Sequence, residues 1–296
     1  MMKNNHLALG GLFAALHLLF IVLSKVLVGS EFILVVFLPL LSTMYALKFN
    51  IKESAMFFIA TFLLCLIFEP ICACVYILPA LLSGSVYGMA RKKKAKEMTL
   101  LYLSSLTHAL TVSISFWFIC LMFKGIDLFN IFSLFIHKQG SEFYVCVYLI
   151  LLLLGVIEAF VVHVICNEEL KKVGYDEVES ENKTPMWIDI CLIISIVMCV
   201  GLSFVDKLWF CYCLPFLVAF TIPSIIEFVV ENKKKWIYFL VGIMAIVNLY
   251  LLNYVDPLFY PGLMIGVTLP ILLEKSIRVL YTNLSKYSNK TKNRIQ

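Results

Sequence analysis

The sequence predicts an all-α membrane protein, a polytopic transmembrane helical bundle of about ten spans with both chain ends in the cytoplasm. Hydrophobic residues make up 62% of the 296 residues and charged residues only 15%, whereas soluble domains keep roughly a quarter of their residues charged. The charges lie between long apolar runs, and a helix needs about 20 apolar residues to cross a bilayer core of about 30 Å. A second, water-soluble domain is therefore not expected.

Ten apolar segments, of 15 to 25 residues, are predicted to be membrane spans. They are residues 7–28, 32–47, 54–68, 71–90, 99–122, 142–166, 186–205, 208–230, 236–253 and 257–274. The first is too long for a signal-peptide core and is expected to be an uncleaved span. Only Glu69 and Pro70 separate the third span from the fourth, and proline suits a sharp turn between helices. Residues 126–132 are apolar but interrupted, and are expected to lie in the membrane interface.

The orientation follows from the basic residues. With the N-terminus in the cytoplasm, 20 of the 24 Lys and Arg residues fall on the cytoplasmic side, most densely from Arg91 to Lys96. This distribution obeys the positive-inside rule, and these cations suit contacts with anionic lipid headgroups. The net charge of +5 is therefore not evidence for nucleic-acid binding. We expect a multi-pass protein of the cell (cytoplasmic) membrane whose first partner is the lipid bilayer.

The charged stretch after the sixth span divides the chain into four parts. They are a six-helix membrane domain at residues 1–172, a charged cytoplasmic linker at 173–185, a four-helix membrane domain at 186–275 and a basic cytoplasmic tail at 276–296.

The fifth span carries a polar stripe. Ser104, His108, Thr111 and Ser115 are spaced 4, 3 and 4 residues apart and share one helix face. Polar groups near the bilayer centre are expected to face the bundle interior or a cavity, so the stripe is a candidate substrate-binding wall. The alternative is that the hydroxyls bond to carbonyls of their own helix and that His108 bonds to a neighbouring span.

Two carboxylates add to the candidate substrate site. Glu158 lies within the sixth span, where an ionisable residue is a functional candidate by default. Its partner is not evident, because His163 is five residues on and about 140° round the helix. A protonated Glu158, or one paired with a base on another helix, would be structural. Glu69 at the outer mouth is a weaker candidate, and His17 in the first span is interpreted as a hydrogen-bonded core residue.

Small residues at four-residue spacing let two helices approach closely. Such residues occur in the first and fourth spans, as Gly10 with Ala14, Gly11 with Ala15 and Gly84 with Gly88. They indicate either packing within the bundle or docking of a partner subunit.

No motif of an enzyme occurs in the sequence. H-E-x-x-H, G-x-S-x-G and Walker A patterns are all missing, so we expect neither catalysis nor a cofactor. Cys72 with Cys74, and Cys211 with Cys213, could supply soft metal ligands. Residues two apart on a helix point about 200° away from each other, however, so metal binding is not expected.

The first 170 residues resemble the S components of energy-coupling-factor (ECF) transporters, which are six-helix substrate-binding subunits. The resemblance lies in A-L-G-G-L-F-A-A-L from Ala8, F-L-P-L-L-S from Phe37, and Y-I-L-P-A-L-L-S-G-S-V-Y-G from Tyr76. It is closest to the YybS-like predicted membrane proteins of bacteria, which join an S-component-like half to further helices. The last four spans depart from a standalone S component.

The resemblance implies an outward-opening solute pocket walled by the fourth to sixth spans. Outer loops at residues 29–31, 69–72 and 124–141 would cap this pocket. It also implies that the small-residue face of the first span meets a coupling subunit driven by two ATPases. We therefore expect binding and uptake of a small, vitamin-like solute. The alternative is a non-transporting scaffold that recruits partners in the membrane.

Overall fold

The computed structural model describes residues 5–26, 31–122, 132–133, 136–137, 140–175, 178, 186–205 and 209–232. Within these ranges the regular structure is helical throughout. The helices are α1 (Asn5–Val26), α2 (Glu31–Lys48), α3 (Ile51–Phe68), α4 (Pro70–Lys92), α5 (Glu97–Met122), α6 (Gly140–Lys172), α7 (Met186–Val205) and α8 (Leu214–Asn232), with a 3-10 turn at Trp209–Tyr212 before α8.

The helical prediction is confirmed for the described part of the chain. Each of the first eight predicted spans coincides with a helix, to within a few residues at most ends. The predicted spans at 236–253 and 257–274, and most of the predicted interfacial segment at 126–132, lie outside the described residues. Five of the described helices, α1 and α3 to α6, are long and apolar enough to cross a membrane. The coarser prediction of a multi-pass helical protein therefore holds, while the number ten stays a prediction.

Local sequence accounts for the two ends of α3. Asn50 accepts a hydrogen bond from the backbone of Glu53, and the Glu53 carboxylate accepts one from the backbone of Asn50. This reciprocal capping box satisfies donors that a helix start leaves unpaired. At the other end the chain turns at Glu69, and Pro70 opens α4 at a position where the missing N–H costs nothing. The sharp turn between the third and fourth spans is confirmed.

α4 is not uniform along its length. Residues Ala73–Ile77 form a π-helical turn, in which the N–H of Leu78 bonds to the carbonyl of Ala73 five residues earlier. The turn lies just before Pro79, which has no N–H to give. The wider turn is thus located where proline interrupts the regular α-helical ladder.

The helices α1 to α4 enclose one apolar cluster, and α2 and α4 are in the closest contact. Gly88 faces the α2 backbone so closely that a Cβ there would lie 2.6 Å from the carbonyl oxygen of Thr43. Gly84, one turn earlier, contacts the α2 backbone at Pro39, and its own carbonyl accepts a hydrogen bond from the Thr43 hydroxyl at 3.1 Å. Only glycine fits at such a distance, so these two positions fix the α2–α4 contact.

The helices α5 to α8 share a second apolar cluster. Tyr102 on α5 hydrogen-bonds Ser224 on α8 at 2.8 Å, and its ring stacks on Phe220 with centroids 6.1 Å apart. The described part of α8 is thus packed onto the α5–α6 pair, and α7 packs against α8. The predicted division at residues 173–185 stays a prediction, since residues 233–296 lie outside the described ranges.

Large apolar side chains remain exposed along whole helix faces. On α3 and α7 these faces consist of Met56, Ile59, Leu63 and Ile67, and of Ile190, Ile193, Ile194 and Val197. Apolar faces of this extent are expected to contact lipid.

Candidate functional site

The candidate site lies between α5 and α6, which run antiparallel and in close contact. Gly155 on α6 opposes Val112 on α5, where a Cβ would lie 2.8 Å from the valine Cγ2 atom. Next to it, the Tyr148 hydroxyl donates to the hydroxyl of Ser113 at 2.8 Å, and Ser113 donates to the carbonyl of Ala109. Gly155 and the hydrogen bond from Tyr148 to Ser113 hold the two helices in one register.

The structure brings together two of the predicted site residues, His108 and Glu158. The Nε2 atom of His108 lies 3.9 Å from Oε1 of Glu158. The imidazole is fully buried, whereas the carboxylate side chain is one quarter exposed. His108 is about 16 Å from the start of α5 at 1.5 Å per residue, which is close to the middle of a bilayer core of about 30 Å. His108 is thus a basic neighbour of Glu158 on an adjacent helix.

Hydrogen bonding constrains where the protons of this pair lie. The Nδ1 atom of His108 is 3.0 Å from the carbonyl oxygen of Ser104, which can only accept. Nδ1 therefore carries a proton, and in the neutral ring Nε2 presents its lone pair toward Glu158. Attraction across the pair then requires one further proton, held either by the carboxyl group or by Nε2. The pair thus places a carboxyl group 3.9 Å from Nε2 of the imidazole, which has no hydrogen-bond partner among the described residues.

The predicted hydroxyls of α5 have three different environments. Thr111 donates to carbonyls of its own helix, 2.9 Å from those of Thr107 and His108. Ser115 instead reaches across to α4 and donates to the carbonyl of Cys74 at 2.5 Å. The Ser104 hydroxyl is fully buried and has no hydrogen-bond partner among the described residues. The alternative in which the hydroxyls bond to carbonyls of their own helix therefore holds for Thr111, but not for Ser104 or Ser115.

Two other candidates lie apart from the His108–Glu158 pair. Glu69 is in the turn between α3 and α4, beyond the Cys74 carbonyl that Ser115 contacts, and Ser115 is itself about 10 Å from His108 along α5. His17 is fully buried on α1, with Nδ1 2.7 Å from the Phe13 carbonyl and Nε2 3.4 Å from the Ser42 hydroxyl. His17 thus has the hydrogen bonds expected of a core histidine.

The small residues predicted to dock a partner divide into two groups. Gly84 and Gly88 are covered by α2 of the same chain, which is the alternative of packing within the bundle. On α1, Gly11 is exposed, with no atom within 4 Å of the position that a Cβ would take, and Ala15 is also exposed. Gly10 and Ala14 are half-buried, Gly10 against the Tyr45 ring. A docking role for the α1 residues stays a prediction.

Glu97 is a site residue that sequence reasoning missed. Its Oε1 atom lies 3.9 Å from Nε2 of His163, whose side chain is almost fully buried. His163 also packs edge-on against the Tyr87 ring, with centroids 5.7 Å apart. Glu97 directly follows a run of basic residues and starts a helix, so it resembles a solvated charge in the sequence. Glu97 is seven residues before Ser104, so helical spacing places both on the polar face of α5. This spacing could have identified Glu97 from the sequence.

Part of the chain is similar to a known protein family. A family model described as "Predicted membrane protein (DUF2232)" matches residues 14–144, which is less than half of the chain. The matched region begins within α1, contains α2 to α5 and ends near the start of α6, before Glu158. The similarity agrees with an integral membrane protein. No curated protein and no solved structure matches the chain.

Proposed function

We propose that the protein binds a small polar solute between α5 and α6 and serves in its uptake across the cell membrane. The observation that carries the proposal is the contact of His108 with Glu158 near the middle of two long apolar helices. Ionisable residues at such depth are costly to bury and mark substrate or ion pathways. The Glu158 carboxylate is partly exposed and lies beside the fully buried His108 imidazole. A solute that reaches Glu158 therefore meets both a hydrogen-bond acceptor and a base.

The unpartnered hydroxyl of Ser104 supports a polar ligand at this place. A buried hydroxyl without a hydrogen bond costs about 1–3 kcal/mol, and a ligand that supplies the missing partner recovers this free energy. A vitamin-like molecule with several donors and acceptors has the required chemistry. Thr111 and Ser115 have no free hydroxyl for a ligand, because Thr111 donates to a carbonyl of its own helix and Ser115 donates to the Cys74 carbonyl on α4.

Separate subunits supply the energy for uptake, as in ECF transporters. An S-component-like role requires a coupling subunit and ATPases, with the α1 face containing Gly11 and Ala15 as the contact. The exposure of both residues supports this arrangement. A Gly11→Leu variant is then expected to lose uptake in cells while keeping solute binding, because the added side chain obstructs only the partner.

The direct test is a thermal-shift screen of the purified protein against a panel of water-soluble vitamins and their precursors. A binding solute is expected to raise Tm in the wild type, and His108→Ala and Glu158→Ala are expected to abolish the shift. Thr107→Ala is the matched control, because Thr107 lies on α5 but its hydroxyl bonds the Leu103 carbonyl of its own helix. A panel without any shift, together with a stable complex of the protein with an unrelated membrane partner, would favour a scaffold instead.

A further inference from the structure

A second histidine–glutamate pair lies on the same helix interface as the first. Glu97 on α5 faces His163 on α6, and His108 on α5 faces Glu158 on α6, each pair separated by 3.9 Å. Each helix thus contributes one acid and one base, in opposite order. The Glu97 side chain is 40% exposed at the helix end beside the Arg91–Lys94 run, called the basic end below, so the second pair is open to water.

The interval between the pairs contains buried hydroxyls. Along α6, Glu158 and His163 are five residues apart, or about 7.5 Å, whereas Glu97 and His108 are eleven residues apart on α5, or about 16.5 Å, at 1.5 Å per residue. Between Glu97 and His108, α5 carries Ser104 and Ser105, both fully buried, and neither hydroxyl has a hydrogen-bond partner among the described residues. The Nδ1 atom of His163 and the Nε2 atom of His108 likewise have no hydrogen bond there. Four polar atoms without a hydrogen bond among the described residues thus belong to the two histidines and to the α5 segment between the pairs.

The other titratable groups near this interval lie at the basic end. Tyr87 on α4 packs against the His163 ring, and Arg91 on α4 donates to the Asn167 side chain of α6 at 3.3 Å. Cys166 on α6 lies 3.9 Å from the Thr43 hydroxyl of α2. Among the described residues, the charged group that faces His108 is Glu158. The cationic Arg91 thus neighbours the water-facing pair rather than the inner one.

We propose that the α5–α6 interface conducts protons between the basic end and Glu158, so that the solute site gains or loses a proton during its cycle. A proton from water binds the Glu97 carboxylate and passes to Nε2 of His163, breaking one O–H bond and forming one N–H bond. The ring releases a proton from Nδ1 to the Ser105 and Ser104 hydroxyls, each of which accepts one proton and donates another. The last hydroxyl protonates Glu158 or His108, and the reverse order releases the proton.

The distances within the pairs are compatible with this transfer. Both pairs stand at 3.9 Å, a separation that a small rotamer change converts into a hydrogen bond. Imidazole accepts a proton on one nitrogen and releases it from the other, and chains of Glu and His are the usual proton relays within membranes. The link to a solute rests on the proposed function, while the proton path does not.

The test follows the protonation of Glu158 with the proton as the only probe. The protein in lipid bilayers is subjected to a pH jump, and time-resolved infrared difference spectroscopy follows the carboxyl C=O band that Glu158→Gln removes. The wild-type band is expected to respond fast, and His163→Phe and the double variant Ser104→Ala/Ser105→Ala are expected to slow the response at least about tenfold. Phenylalanine keeps the ring against Tyr87. Thr107→Ala, which removes a hydroxyl bonded to the Leu103 carbonyl of the same helix, is the control that leaves the rate unchanged.

Two outcomes overturn the proposal. One is an equal rate in the wild type and both slowed variants, and the other is a Glu158 band that does not respond to pH. Glu97→Gln provides a second entry variant in case His163→Phe does not fold. The infrared measurement uses no solute. If the Glu158 band responds to pH but the thermal-shift screen finds no bound solute, only the proposed function is contradicted. Solute binding without a proton response would contradict only the inference made here.

Discussion

Ser115 on α5 donates a hydrogen bond to the carbonyl oxygen of Cys74 on α4, and Pro79 is the reason that this carbonyl needs a donor. In the π turn the N–H of Leu78 bonds to Ala73, and the next residue in the ladder is proline, which has no N–H. The Cys74 carbonyl is therefore left to a side chain of the neighbouring helix. Within a membrane such a carbonyl must be satisfied inside the protein.

The first prediction concerns this bond. Ser115→Ala is expected to lower the free energy of unfolding by about 1 kcal/mol, since a buried carbonyl loses its donor. Pro79→Ala restores a backbone N–H, so the cost of Ser115→Ala should be smaller in that background. A double-mutant cycle measured by unfolding in bicelles checks this coupling. Ser195→Ala is the control, because Ser195 bonds its own helix at Cys191 and should show no coupling to Pro79.

The second prediction compares Gly84 and Gly11, which the sequence analysis grouped together as small residues at helix contacts. Gly84→Ala is expected to destabilise the protein by about 1–3 kcal/mol, because the methyl group meets the α2 backbone at Pro39. Gly11→Ala is expected to raise stability by about 0.5–1 kcal/mol, since alanine favours the helix and no atom lies within 4 Å. Thermal unfolding of both variants checks the opposite signs. Two changes of the same sign would contradict the packing described for α2 and α4.

The sequence predicted the helices far better than it predicted their contacts. Span positions follow from length and hydropathy, which each segment carries by itself, and the α5 stripe follows from helical spacing alone. The His108–Glu158 contact depends on how α5 packs against α6, and neither sequence segment encodes that register by itself. Helical spacing also separates His163 from the Glu158 face, and in the structure His163 contacts Glu97 instead.

The third prediction tests whether α8 is packed against α5. Tyr102→Phe and Ser224→Ala each remove one partner of a 2.8 Å hydrogen bond, so each is expected to cost about 1 kcal/mol and the two costs should not add. Tyr148→Phe combined with Ser224→Ala should be additive within about 0.5 kcal/mol, because Tyr148 bonds Ser113. Unfolding free energies of these single and double variants decide the matter. Additivity of the Tyr102 and Ser224 changes would contradict the α5–α8 contact.

The fourth prediction concerns the exposed loop after α4. Lys94 has φ of 57°, in the left-handed region that costs a residue with a side chain about 1–2 kcal/mol. Lys94→Gly is therefore expected to stabilise the protein by about 0.5–1 kcal/mol after the greater chain entropy of glycine is counted. Lys93 has φ of −82°, so Lys93→Gly removes an equal charge without this gain. Equal Tm values for the two variants would count against the strained loop.

The long uninterrupted helices have one more consequence for the two histidine–glutamate pairs. α5 and α6 contain no proline, and α6 extends over 33 residues, about 50 Å. A slide of α6 past α5 by a single turn, about 5.4 Å, would separate both acids from both bases at the same moment. The two pairs thus depend on one common axial position of the two helices.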